Sequence, residues 1–274
     1  MFADVTSANV VGYQNREIEP GMWPLVCNTF KAIGKDKADM TLGDFKVAGA
    51  WSFWGGDNVM LLNPDGSVKQ LDDQENPGDT IDAAYTYATV DGEGAPVDGW
   101  YQFTKALNEF NFNYPGDDES IEYGDGFVAL VGNPDTQLAF FGEVPAGPQN
   151  LACEEGTWQL LGNALPVACT IDDITPNEMW SFWGGDNIMI LNSDGSVKQL
   201  DDLENPGDTI DAAYTYATVD GEGAPENGWY QFTKALNEFN FNYRSEEEFA
   251  AGDAFVVLTS TPGTEIQLKQ AIAK

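Results

Sequence analysis

Histidine is absent from the 274 residues, and positive charge is scarce: twelve Lys and Arg stand against forty-five Asp and Glu, a formal charge of −33. Without histidine there is no Ser-His-Asp or Cys-His arrangement, and the commonest transition-metal ligand is missing. So acidic a surface repels polyanions, which argues against nucleic acid and anionic lipid as partners. No apolar run approaches the roughly 18 residues of a membrane-spanning helix, so no membrane insertion is expected. No helical periodicity is sustained over as much as three turns. Cysteine is limited to Cys27, Cys153 and Cys169, which allows at most one internal disulfide and leaves an odd thiol. The opening MFADVTSANV has neither the basic nor the apolar region of a signal peptide. Either the protein is cytosolic, or its signal peptide has been removed.

What is present is a repeat. Residues 51–114 recur as residues 180–243 with six differences: Val59/Ile188, Leu61/Ile190, Pro64/Ser193, Gln74/Leu203, Val97/Glu226 and Asp98/Asn227. An internal repeat of domain-like length sets the architecture before any local reading. Around it, Gly21, Trp23, Leu25 and Asn28 match Gly156, Trp158, Leu160 and Asn163. A Gly-led GDGFVAL is likewise answered by GDAFVVL. Within the repeat the apolar period is two, in NVMLLN, AAYTYATV, GWYQF and EFNFNY, and the strands are separated by Asp-Gly and Pro-Gly turns. The expectation is an all-β protein of two tandem antiparallel β-sandwich domains produced by an internal duplication. The domains are residues 1–144 and 151–274, joined by the turn-rich PAGPQN linker at 145–150.

Several side-chain groups are candidates for chemistry. Asp72-Asp73 and Asp201-Asp202 are adjacent carboxylates of the kind glycosidases use as acid and base. Among so many acids adjacency arises by chance, so solvated loops are the default and no enzymatic activity is expected. The same loops could ligate Ca²⁺, a hard cation that takes several oxygens. The ligands would be Asp72, Asp73, Asp79 and Asp82, with Asp201, Asp202, Asp208 and Asp211 in the second copy. No cofactor is expected apart from such a structural calcium. Trp54, Trp100, Tyr101, Trp183, Trp229 and Tyr230 could form a sugar-stacking platform, doubled by the repeat into a bivalent one. The alternative for large aromatics on alternating strands is burial in the core. Cys153 and Cys169 have Ile18 and Met40 as counterparts. Two cysteines gained together in one copy suggest a Cys153–Cys169 disulfide, with burial as two small apolar residues nearly as well supported. Cys27 reads as a buried thiol.

The order G-x-W-x-L-x-x-N, an aromatic strand before a D-G hairpin, a mid-module Gly-Trp and a late G-x-[GA]-F resembles a module common in secreted bacterial surface proteins. Such modules often open with wording close to TSANVVGY, here residues 6–13. The resemblance implies a sandwich fold, export with the signal peptide removed, an extracellular or cell-surface location, and no defined catalytic site. Together with divergence at the two ends of each copy, it favours a self-assembling subunit of a surface layer, sheath or fibre. Its partners would be further copies of itself, and cell-surface or polysaccharide components. The first 50 residues carry five basic and six acidic side chains, leaving −32 for the rest. Head-to-tail packing would set Lys31, Lys35, Lys37 and Lys46 against an acidic neighbour, with residues 10–18 and 265–272 as the meeting edges. The alternative is a bivalent glycan-binding protein.

Overall fold

The computed structural model describes residues 10–21, 23–34, 40–73, 76–103, 112–145, 147–192, 195–202, 205–232, 241 and 244–269. In the first half, β1 is Val10–Ile18, β2 Leu25–Cys27, β3 Met40–Thr41, β4 Lys46–Ala48, β5 Asn58–Leu61 and β6 Gln70–Asp72. They are followed by β7 Thr80–Asp82, β8 Ala84–Ala88, β9 Gly99–Gln102, β10 Ser120–Ile121, β11 Gly126–Leu130 and β12 Thr136–Val144. The second half repeats the series. β13 is Gln149–Ala152, β14 Trp158–Gly162, β15 Cys169–Thr170, β16 Ile174–Pro176, β17 Asn187–Ile190 and β18 Gln199–Asp201. It ends with β19 Thr209–Asp211, β20 Ala213–Ala217, β21 Gly228–Gln231, β22 Glu248–Phe249, β23 Ala254–Leu258 and β24 Glu265–Leu268.

Each half builds a five-stranded sheet, β2-β11-β5-β8-β9 or β14-β23-β17-β20-β21, and a three-stranded one, β1-β12-β4 or β13-β24-β16. Every named pairing is antiparallel, and among the described residues no sheet mixes named strands of both halves. The sheets pack face to face because alternate residues of each strand are apolar and need cover. Phe140 from the small sheet and Phe45, which leads into β4, meet Phe127 from the large one, with ring centroids 4.8–5.5 Å from Phe45. The second core puts Ile174 and Leu268 where the first has Phe45 and Phe140.

Local expectations hold for most strands. The AAYTYATV and TQLAFFGEV stretches form β8 and β12. Residues 10–30 do form two strands about Pro20-Gly21, but β1 and β2 belong to different sheets, so the turn carries the chain across the sandwich. One expectation fails where it can be compared. Of the expected EFNFNY strand, residues 109–111 lie outside the described residues, and Phe112 and Asn113 form a turn in which Phe112 packs on Tyr101, with ring centroids 5.0 Å apart. The acidic stretch 72–79 is the expected polar loop over its described residues 73 and 76–79, where it joins β6 to β7; only Asp72 lies on a strand.

The halves meet through the same elements from each side. β2 lies against β14, β11 touches β14, and β23 touches β2. Cys27 N–H donates to the Gly252 carbonyl at 2.8 Å, and Leu160 N–H to that of Pro64 at 2.7 Å. Cys27 and Gly162, counterparts in sequence, touch each other: a Cβ on Gly162 would stand 2.5 Å from that of Cys27. Leu160 packs on Gly126, while Leu25 reaches Gly195. Equivalent strands facing one another about a shared point make this a two-fold-like junction, the isologous kind.

Candidate functional site

The aromatics selected for sugar stacking divide sharply. Trp100, Tyr101, Trp229 and Tyr230 are all at least 98% buried. Trp100 Nε1 donates to the Phe45 carbonyl at 3.2 Å, and Trp229 Nε1 to that of Ile174 at 2.9 Å. The Tyr101 and Tyr230 hydroxyls donate to the Val97 and Glu226 carbonyls. These four are core residues, which corrects the stacking platform: their apolar bulk is covered and their polar tips are satisfied. Trp54 and Trp183 remain outside, 58% and 65% exposed, each edge-on to the preceding Phe.

The acidic candidates brace hairpins. Asp82 and Asp211 accept from Gln70 and Gln199 at 2.6 Å across their strand pairs. Asp73 and Asp202 cap Asn76 and Asn205. Asp72 and Asp201 stand on strands opposite Thr80 and Thr209, and Asp79 and Asp208 lie on the connecting turns. Among the described residues no group of three or more acids or cysteines converges as a metal site.

All three thiols are free and buried, which corrects the expected Cys153–Cys169 disulfide. Cys153 follows β13 beside Thr264, while Cys169 pairs with Phe249 on a separate two-stranded sheet. Both fill the second core as Ile18 and Met40 fill the first. Burial pushes both thiols from an ordinary value of 9.0 up to about 12, and pushes Cys27 up as well.

Lys31 serves the intramolecular junction. Its Nζ donates to Gln149 Oε1 at 2.9 Å and sits 5.2 Å above the Tyr123 ring. Lys46 donates to the Gly43 carbonyl and lies over Tyr87, while Lys35 and Lys37 fall outside the described residues. The closing strand β24 is central in its sheet, between β13 and β16, and therefore offers no free edge for head-to-tail packing. β1 is different. All nine of its residues pair with β12 on one side, and among the described residues no strand pairs with its other side. Val11 and Tyr13 are 60% and 68% exposed.

A second feature was not singled out by the sequence. Between the two large sheets lies an apolar cleft of about 520 Å³. Its walls come in equivalent pairs: Trp23 with Trp158, Leu25 with Leu160, Met60 with Met189, Leu62 with Leu191, Val68 with Val197, Val128 with Val256, and Gly66 with Gly195. Among the described residues Asp65 is the one remaining lining residue. The usable signal was the matched W-x-L that precedes Asn28 and Asn163; an exposed Trp repeated in both copies points to a shared surface.

No protein-family model, curated protein or solved structure matches this chain.

Proposed function

We propose that this chain is a non-catalytic structural protein of the cell exterior that associates with copies of itself, beginning at the β1 edge. The open side of β1 carries the proposal. An edge strand presents unpaired N–H and C=O groups that template another strand, and proteins ordinarily guard such edges with short length, charge or proline. β1 is nine residues long, free of proline, and shows Val11 and Tyr13 to solvent. The surrounding segment is also the least charged part of the molecule, with a net −1 over its first 50 residues, so two copies repel least there. Antiparallel β1–β1 pairing would be isologous and would join two small sheets into one of six strands. The intramolecular junction cannot serve as the template for a chain of copies, because it occupies the same face of both halves.

Sedimentation and negative-stain microscopy from low to molar sodium chloride test this. Association should strengthen with salt as repulsion is screened, and Val11→Lys with Tyr13→Lys should abolish it. A wild-type chain that stays monomeric at high concentration in molar salt would overturn the proposal. The equivalent exposure of Trp54 and Trp183 supports a second reading, bivalent glycan binding, for which loss of polysaccharide retention on Trp54→Ala plus Trp183→Ala is the discriminating result.

A further inference from the structure

We propose that the cleft between the halves binds a predominantly hydrocarbon small molecule that carries no negative charge, one per chain. Monomeric proteins seldom leave a contiguous concave apolar surface open, and those that do generally use it. The volume, about 520 Å³, falls within the range of small-molecule pockets. Its walls are not left-over core. Met60, Met189, Leu62 and Leu191 are only half-buried, and Trp23 and Trp158 are each 44% exposed.

The chemistry narrows the occupant. Among the described residues Asp65 is the only ionisable one lining the cleft, and with a molecular charge of −33 it disfavours an anionic amphiphile. A peptide strand is disfavoured as well, because β2 and β14, the sheet edges that would receive it, are turned against each other. A second copy meets least repulsion at the nearly neutral β1 segment and not at this mouth, where Asp65 would oppose its own equivalent. What remains is an apolar molecule without negative charge, gripped by flexible methionines that adapt to irregular shapes and flanked by two indoles. The near two-fold arrangement of the walls adds a specific expectation: equivalent positions contribute equally.

Titration with the neutral fluorophore phenylnaphthylamine tests the inference, with decanol, decylamine and decanoate as competitors. Saturable binding at one probe per chain is expected, with displacement by decanol and by decylamine but poorly by decanoate. Met60→Glu and Met189→Glu should each weaken binding by about tenfold, and by similar factors, since each places a charge against an apolar ligand. Circular dichroism establishes that the variants fold; if either does not, Val68→Thr and Val197→Thr replace them and must still weaken binding. Absence of saturable binding, indifference to these substitutions, equal displacement by decanoate, or one probe per two chains would each overturn it. Val11→Lys with Tyr13→Lys, which tests self-association, should leave probe binding unchanged.

Discussion

At the junction the two halves offer the same positions with different chemistry. Arg16 of β1 reaches across to Asp253 at 2.8 Å and to the Ala251 carbonyl at 3.0 Å. Its counterpart, Leu151, packs instead on Gly124. Cys27 projects into the space that Gly162 leaves empty. Near a two-fold point, one side chain can occupy a space that two cannot. The Cys27/Gly162 difference therefore selects the pairing of a first half with a second half over that of two first halves. The cores differ too: Phe30, Met40, Phe45 and Phe140 answer to Leu165, Cys169, Ile174 and Leu268, while Phe249 replaces Ile121. One backbone thus holds two packings, and the shared residues make internal controls.

The sharpest comparison is Trp100→Ala against Trp229→Ala. Each should cost about 3–5 kcal/mol in urea unfolding, from lost burial, a cavity and an orphaned carbonyl. Equal losses mean the repeated core is indifferent to its surroundings; a large inequality would show that the bulkier first core carries the fold.

Alkali should next weigh more on the second half, with two buried thiols against Cys27 in the first. A thiol neutral in the folded state up to about 12 but ionising near 9 when unfolded leaves stability unchanged below pH 9. Above that, the unfolded chain alone sheds the proton, so stability falls by about 1.4 kcal/mol per pH unit for each thiol. Replacing Cys153 and Cys169 by Ala should flatten the decline in melting temperature between pH 9 and 11. An unchanged slope would mean the thiols are accessible in the native state.

Gly162→Ala should destabilise by about 1–3 kcal/mol by overpacking the junction, and Cys27→Gly in the same chain should recover part of the loss. Strict additivity of the two in thermal melts would show that the contact is not shared. The smallest effect belongs to Arg16→Ala, about 1 kcal/mol given its partial exposure, and smaller still in high salt. A salt-independent loss would place its contribution in packing instead of charge.

The all-β class and most strand positions were legible in the chain, because period-two alternation and turn residues such as Asp65-Gly66 act locally. Hairpin Gly66 takes φ = 80°, as an Asp-Gly turn requires. The correspondence of the halves was equally plain from the repeat. What a strand residue faces was not. Trp54 and Trp100 are both aromatic residues of the repeat, yet one projects from a turn and the other lies under two sheets. Cys153 and Cys169 could be read as a bridge or as filler until their neighbours, Thr264 and Phe249, were in place. β1 and β24 both read as edges for head-to-tail packing, and only the pairing order left one at an edge and put the other in the middle of its sheet. Alternation tells that a strand has two faces. Burial, edge and cleft depend on which distant segment packs on each face, and that is decided by contacts far apart in sequence.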